Sequence, residues 1–526
     1  MEIDLDANAT TPVLPAARAA AIAAMAADYG NPSSSHSTGL RARALLDGVR
    51  ERARRVLGLP DGGHLLLTSG ATEGIQTAVL SALTSLRGRA DVDCVLYGAT
   101  EHKAVPEALR HWVRVLQLNM TVRAIPVGPD GRHDLTWLRA HAPRAGLVCT
   151  MAANNETGVI SDLPGIAQAL AGSPALWLVD SVQALGKLRL DLAGLPIDYA
   201  PFSGHKLYAP KGIGLLHVRQ GAPFTPLLCG GGQEAGLRAG TENMPGAAAL
   251  GAVLRALEAG DVFQPAAVLE RWRRQLADAL TQAFPGLLFN TPPKHSLPTT
   301  LNFSVPGVSV RVLLDLFDAA DVRVSAGSAC SAARAEPSHV LLAMGLPEWR
   351  AASAVRLSFG PAMDPALIDV ACERIAACGA ALQAAQWAGD VPRSKQEAVA
   401  HVAQTASVLG DVAATAACQI SADALRQLLQ AQPHTRVVDV RDTAEQRLKP
   451  AAAFLPHASS HTSLPLASLL AEPPAWLMDS PDAPLVFLCR SGKRSDQAAL
   501  ALRALGHRQA WSLHGGLALW AEAAMV

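Results

Sequence analysis

Short apolar runs alternate with amphipathic stretches along the first part of the chain. Apolar positions recur with helical spacing at 14–30, 38–57 and 162–171, and a helical pattern opens at 101–105. The apolar runs predict short buried strands at 64–69, 92–97, 147–151 and 176–179, and a further apolar stretch follows position 211. Because strands that alternate with helices form a parallel sheet covered on both faces, we predict an α/β fold class here.

Polar and charged residues stand directly after several of these predicted strands. They are Thr72, His102, Asn155, Asp180, Gln183 and Lys206. Ligands of open α/β sheets bind at the C-terminal ends of the strands. We therefore expect one pocket to collect these side chains.

The strand predicted at 64–69 breaks at Gly70, and a helical pattern resumes through Ala71 and Thr72. A strand, a small-residue turn and a helix start present free backbone N–H groups and the positive end of the helix dipole, which suits a phosphate. The same turn is also typical of a simple helix N-cap, and the sequence leaves both interpretations open.

The loop at 203–212 contains Lys206, flanked by small residues and His205. A desolvated lysine has a lowered pKa and can form a Schiff base. The alternative is a solvated turn lysine, the commoner state of a loop lysine.

The second half of the chain changes pattern. A glycine-rich stretch at 229–241 partly fits a dinucleotide-binding fingerprint, but no βαβ unit surrounds it. A long helix at 264–284 and strands near 299–305, 322–326 and 354–359 predict a smaller α+β domain, in which Cys330 stands among Ser, Ala and Gly residues. A polar, Ala-rich linker follows, and then strands at 436–441 and 485–488, the second running directly into Cys489.

Composition narrows the function classes. The 526 residues carry 45 basic and 45 acidic side chains, so no overall charge favours nucleic acid or an anionic membrane. The acidic start lacks a signal-peptide pattern, and no run of about 18 apolar residues predicts a membrane span, so we expect a cytoplasmic protein without membrane contact. The eight cysteines include no C-x-x-C pair, which argues against a zinc site, and we predict no metal.

Residues 3–380 resemble the cysteine desulfurases, which are pyridoxal 5′-phosphate enzymes of fold type I. The matching motifs begin at Leu5, Thr68, Glu101, Asn154, Asp180, Ser203, Arg238 and Gly327, and Arg356 completes them. The length of the loop from Cys330 to Ser338 resembles the housekeeping and nitrogen-fixation branch. The resemblance implies a mostly parallel seven-stranded sheet in a large domain at about 14–255, and a small domain formed by about 1–13 and 256–385.

The resemblance also assigns the residues around the cofactor. Lys206 would hold it as a Schiff base and then act as the base at the substrate Cα. Asp180 would keep the ring nitrogen protonated, Gln183 would bind the ring hydroxyl, and His102 would stack on the ring and take part in catalysis. The phosphate would lie on Ala71, Thr72, Ser203 and His205, and on Thr241 of the other subunit, which implies a homodimer.

The resemblance assigns further residues to the substrate and to the sulfur. Asn155 and Arg356 would hold the carboxylate of L-cysteine, a task that suits a planar guanidinium. Cys330 would be the nucleophile that takes the sulfur as a persulfide and releases alanine. Cys94, Cys149, Cys372 and Cys378 stand in apolar segments and are expected to be structural, whereas the role of Cys229, beside the glycine-rich stretch, stays open.

The C-terminal residues, about 416–526, resemble a single rhodanese domain, joined by the linker at 386–415. The motifs are 437–442, 486–495 and 514–520. Cys489 would carry anionic sulfur, cradled by the loop Arg490, Ser491, Gly492, Lys493 and Arg494. The segment at 451–460 departs from the family signature, so a docking role remains an alternative to catalysis.

The expected activity is a cysteine desulfurase whose sulfur is relayed from Cys330 to Cys489 and onward to a protein acceptor. The acceptor would serve iron–sulfur, sulfur-cofactor or transfer-RNA thiolation chemistry. The alternatives are a selenocysteine lyase or an aminotransferase-like activity on the same scaffold.

Overall fold

The computed structural model describes residues 1–59, 62–327, 336–387, 412–455 and 461–523. Most of the expected linker lies outside the described residues, as do Cys330 and positions 456–460 of the segment that departs from the rhodanese signature. Among the described residues, no helix is long and apolar enough to span a membrane.

The first part of the chain forms a large sheet with helices on both faces. Its elements, in chain order, are β1 (Ile3–Asp4), α1 (Pro15–Ala26), α2 (Ser37–Leu57), β2 (His64–Thr68), α3 (Ala71–Ser85), β3 (Cys94–Gly98), α4 (Ala104–Val115), β4 (Thr121–Ile125), α5 (Leu135–His141), β5 (Ala145–Met151), α6 (Leu163–Leu170), β6 (Leu176–Asp180), β7 (Tyr199–Ser203), β8 (Gly214–Val218) and α7 (Met244–Ala259). Seven strands form one sheet in the order β2-β8-β7-β6-β5-β3-β4. β8 is antiparallel to both of its neighbours, and the other pairs are parallel. The predicted α/β class with a mostly parallel sheet is confirmed.

Capping residues fix several helix ends. The side chain of Asp162 accepts a hydrogen bond from Gly165 N at 3.1 Å and begins α6. Helix α2 ends at Leu57 and is capped by Gly58, whose φ of 60° is the left-handed conformation that favours glycine. The helix predicted at 14–30 is shorter in the structure. It ends at Ala26 because the chain then turns toward Gly30, where a Cβ would lie 2.4 Å from the carbonyl oxygen of Thr38.

The next region is α+β, as expected. Its elements are α8 (Ala266–Ala283), β9 (Leu288–Phe289), β10 (Thr300–Ser304), α9 (Val310–Ala319), β11 (Val322–Arg323), β12 (Ser325–Ala326), α10 (His339–Ala343), α11 (Glu348–Ser353), β13 (Val355–Ser358) and α12 (Ala366–Trp387). The antiparallel sheet has the order β12-β13-β10-β9, whereas β11 pairs in parallel with β1. The strand predicted at 322–326 is therefore two strands, because its halves pair with different partners.

The C-terminal region forms a separate parallel sheet. Its elements are α13 (Val412–Ala417), β14 (Gln419–Ile420), α14 (Ala422–Ala431), β15 (Arg436–Asp439), α15 (Thr443–Leu448), β16 (His461–Ser463), α16 (Leu466–Ala471), β17 (Leu485–Leu488), α17 (Lys493–Ala504), β18 (Ala510–Leu513) and α18 (Gly516–Ala523). The strand order is β14-β18-β17-β15-β16. Successive residues of β17 enter apolar cores on opposite faces, so this sheet is covered on both sides.

Candidate active site

A cavity of ≈ 530 Å³ opens at the C-terminal ends of strands in the large sheet. Its volume is in the range of small-molecule sites. The residues predicted from the strand ends all line it, namely Thr72, His102, Asn155, Asp180, Gln183 and Lys206. Ala71, Ser203, His205 and Arg356 line it as well. The parallel strand order places these separate sequence segments along one edge.

The turn between β2 and α3 forms an anion cradle at one end of the cavity. Helix α3 begins at Ala71, and no side chain of the described residues caps it. Its first N–H groups are therefore available to a ligand. Gly214 permits this arrangement, because a Cβ there would lie 2.5 Å from Phe202 O and 2.8 Å from Gly70 Cα. The ion pair of Glu73 with Arg238, at 2.8 Å, supports the turn from outside.

Lys206 lies on the short 3₁₀ turn that follows β7. Its Nζ donates hydrogen bonds to the backbone carbonyls of Asn8 at 2.7 Å and Ala9 at 2.6 Å. The N-terminal segment thus forms part of the site. The motif around Asn8 therefore contributes backbone carbonyls to the pocket. The sequence alone assigned it no position there.

Asp180 is 6% exposed at the end of β6, and its Oδ1 accepts a hydrogen bond from Val182 N at 3.0 Å. Burial raises the pKa of Asp180 to about 6, against the opposing effects of that hydrogen bond and Lys206. Gln183 donates from Nε2 to Asn8 O at 3.0 Å and accepts at Oε1 from Lys187 Nζ at 2.7 Å. Burial, Lys206 and Arg356 lower the pKa of Lys187 to about 7.

Two histidines of the cavity have lowered pKa values. Removal from water, followed by the charges of Lys206 and Lys103, lowers the pKa of His102. Burial, Lys206 and Lys211 lower the pKa of His205 to about 4. Both rings are therefore neutral at physiological pH. Neutral imidazole offers one donor and one acceptor nitrogen.

The guanidinium of Arg356 is almost fully buried at the other end of the cavity. It donates to Asp6 Oδ1 at 2.6 Å and to Asn155 O at 3.1 Å, while its Nε has no hydrogen-bond partner among the described residues. A buried N–H group without a partner is costly and is suited to receive an anionic ligand. Asn155 lies beside it, so the pair fits a carboxylate.

The cavity contains residues that the sequence argument missed. Glu156, His339 and Lys211 line it, and Lys187 lies behind Gln183. Lys187 stands four residues after Gln183 in a segment of turns, and no pattern in the sequence marks it as part of the site. Thr241 is exposed and is not one of the lining residues within this chain.

A second cysteine site lies in the C-terminal region. Cys489 follows β17 and is fully buried, and its Sγ accepts a hydrogen bond from Ser495 N at 3.4 Å. Gly492 has a φ of 89°, which lets the loop turn into α17. Arg494 pairs with Glu445 at 2.5 and 2.9 Å. Arg490, Ser491 and Gly492 thus form the turn between Cys489 and α17, and Lys493 and Arg494 begin that helix.

Comparison with known proteins gives consistent similarities. The aminotransferase class-V family model matches residues 3–370, and the rhodanese-like domain model matches residues 421–523. A cysteine desulfurase of Cereibacter sphaeroides is 38% identical over 373 residues, which cover 69% of this chain and 92% of that protein. A solved NifS-like protein has a TM-score of 0.64 at 31% identity, covering 72% of this chain and 98% of the other. Another solved structure, described as SspA in complex with cysteine, has a TM-score of 0.59 at 26% identity and covers 69% and 100%.

Proposed function

The chain belongs to the class-V aminotransferases and, within them, to the cysteine desulfurases, and on this premise we propose that it converts L-cysteine to L-alanine and passes the sulfur to its own thiols. The observation that carries the proposal is the convergence of Lys206, Asp180, Asn155 and Arg356 on one cavity. A similar protein has been solved with cysteine bound. The family depends on pyridoxal 5′-phosphate.

The cavity residues fit this cofactor. The uncapped start of α3 at Ala71 and Thr72 suits the phosphate, together with Ser203 and His205. The buried Asp180 suits the ring nitrogen, and its pKa of about 6 leaves it mostly ionised at neutral pH. When bound, pyridoxal phosphate supplies an electron-accepting ring that stabilises negative charge at the substrate Cα.

The chain's own groups then have separate tasks. Lys206 would hold the cofactor through its amine and would afterwards move the proton at the substrate Cα. Gln183, oriented by Lys187, would bind the ring hydroxyl, and His102 would cover the ring face. The unpartnered Nε of Arg356 would receive the substrate carboxylate beside Asn155.

We assign the first sulfur transfer to Cys330, which lies outside the described residues. Its thiolate would attack the substrate sulfur, the C–S bond would break, and its electron pair would remain with the substrate carbon. Protonation of that carbon gives alanine, and the protein retains a persulfide. A free thiol has a pKa of about 8.5, so this role requires a local group that favours the thiolate.

The second transfer would lead to Cys489. Its thiolate would attack the outer sulfur of the Cys330 persulfide, and the Cys330 sulfur would leave as thiolate. The support for this step is the position of Cys489 directly before the start of α17, with a hydrogen bond from Ser495 N to its Sγ. Covalent linkage of donor and acceptor raises their effective concentration. We further propose a cytoplasmic homodimer, completed by Thr241 of the partner subunit, and a protein acceptor beyond Cys489.

Two substitutions test the two transfers. Cys330→Ala should abolish alanine formation from cysteine, whereas an aminotransferase would retain its activity. Cys489→Ala should leave alanine formation intact when a small-molecule reductant is present and should prevent delivery of radiolabelled sulfur to a protein acceptor. The matched control is Cys229→Ala, which removes an exposed thiol and should change neither step.

Unchanged delivery from the Cys489→Ala variant would overturn the relay and favour a docking role for the C-terminal domain. A comparison of L-cysteine with L-selenocysteine as substrate separates the desulfurase from a selenocysteine lyase. Selective turnover of selenocysteine would overturn the desulfurase assignment.

A further inference from the structure

The C-terminal domain makes an apolar contact with the α+β region. Helix α15 packs on α9 and α12. Ala444 of α15 is 3% exposed and belongs to the same apolar core as Leu316 of α9 and Ile375 of α12. Leu448, one turn further along α15, packs against that core. The contact therefore has a buried centre, as a stable interface requires.

Ion pairs surround this centre, and in each the acid belongs to α9 or the turn after it. Lys449 Nζ lies 2.8 Å from Asp321 Oδ1. The guanidinium of Arg490 lies 3.3 Å from Asp315 Oδ1 and also pairs with Asp318. The bases all come from the C-terminal domain. Opposite charges on two facing surfaces give an interface its register and specificity.

The same ion pairs alter the balance of charge near Cys489. Arg490 follows Cys489 in the chain and is one of three cations in the segment 490–494. In the structure two carboxylates pair with this guanidinium, and one of them, Asp315, also lies 3.4 Å from Arg494. The Cys489 side chain itself is buried among residues of the C-terminal domain. Carboxylates beside a site repel anions and slow their association.

We propose that the acidic surface of α9 and the turn after it, formed by Asp315, Asp318 and Asp321, is the docking surface for the rhodanese-like domain, and that docking excludes free anionic sulfur donors from Cys489. The docked domain then takes sulfur from its own chain rather than from small sulfur anions in solution. This inference rests on the proposed sulfur-carrying role of Cys489, although the docking itself does not.

Alkylation of Cys489 in the full chain tests the docking. Iodoacetate is the anionic probe and iodoacetamide the neutral one, and mass spectrometry of the Cys489 peptide gives each rate. The double variant Asp315→Asn, Asp318→Asn should raise the rate of alkylation by iodoacetate about fivefold. This factor corresponds to the loss of ~1 kcal/mol of ion-pair free energy. Lys449→Gln should also raise the iodoacetate rate, and this substitution changes no residue of the Cys489 loop.

The matched control is Asp482→Asn, which removes a pair with Arg508 inside the C-terminal domain. It should leave both alkylation rates unchanged. Equal iodoacetate rates in the wild type, the double variant and Lys449→Gln would overturn the docking surface. A rise confined to iodoacetamide would show docking that does not exclude anions, and would overturn the second half of the proposal.

Thiosulfate provides a functional readout of the same variants. The Cys489 thiolate attacks the outer sulfur, sulfite leaves with the S–S electron pair, and added cyanide removes the sulfur as thiocyanate. The double variant should form thiocyanate about fivefold faster than the wild type, and an unchanged rate would count against exclusion. If no variant forms thiocyanate, thiosulfate is not a donor to Cys489 even when docking is weakened, and the exclusion of such donors by docking is overturned, while the alkylation rates still decide the docking.

Discussion

Glu156 follows Asn155 in the turn after β5 and is 3% exposed. Ser338 Oγ donates a hydrogen bond to its Oε2 at 2.6 Å, and a Cβ on Gly327 would lie 3.5 Å from the same oxygen. The carboxyl thus lies between the described residues on either side of the Cys330 segment. Burial raises the pKa of Glu156 to about 7, despite Ser338, Arg356 and Lys103, which favour the carboxylate.

This pKa makes the stability dependent on pH. The ordinary pKa is 4.5, so between pH 4.5 and about 7 the folded state binds the proton more tightly than the unfolded state. Stability therefore falls as the pH rises through this window, and the cost is fully present above about pH 7. At about 1.4 kcal/mol for each pKa unit, it amounts to ~3 kcal/mol.

Glu156→Gln removes this cost, because the amide stays neutral and its oxygen still accepts the Ser338 hydrogen bond. The variant should match the wild type at about pH 4 and be more stable at about pH 8 by up to ~3 kcal/mol, or a few degrees in Tm. Scanning calorimetry of the full chain measures this difference. Glu348→Gln, at an exposed glutamate, is the control and should be neutral at both pH values. A variant that is destabilised equally at both would show that Glu156 is ionised in the folded protein.

Two further predictions concern the cofactor cavity. Gly214→Ala should cost about 1–3 kcal/mol and weaken retention of pyridoxal phosphate, measured by dialysis, because the added Cβ meets the backbone of Phe202 and Gly70; Gly48→Ala, with open space around it, should be harmless. Lys187→Met should lower stability more at about pH 9 than at about pH 6, as measured by urea denaturation. The pKa of Lys187 is lowered to about 7, so the wild type gains stability from this group as the pH rises above 7, and the methionine cannot. An equal loss at both pH values would show that the buried amine does not titrate.

The residues at the strand ends could be predicted because each depends on a local signal. An apolar run followed by a polar turn places Asp180 or Lys206 at a known edge of a parallel sheet. Sequence could equally show that Cys330 and Cys489 stand in loops of small or polar residues.

What the sequence could not show depends on distant pairs. Asn8 bonds Lys206, and Glu156 bonds Ser338, across separations of 198 and 182 residues. Neither pair has a pattern along the chain that would bring it together. The acidic surface of α9 and the turn after it could not be predicted either. In the sequence its aspartates are typical of a solvated helix face, and only the structure shows that the C-terminal domain packs against them.

The N-terminal segment has a consequence for the order in which this protein can assemble. Ile3 pairs with Val322, and Asn8 N donates to Ser358 Oγ at 3.0 Å, while Lys206 bonds the carbonyls of Asn8 and Ala9. These residues are synthesised early, but they cannot find all of these partners until Ser358 has been synthesised. Contacts at such separations form late in folding. The candidate cavity is thus completed by this segment only after the strand that contains Ser358 has been made, so a product truncated before Ser358 would lack a finished site.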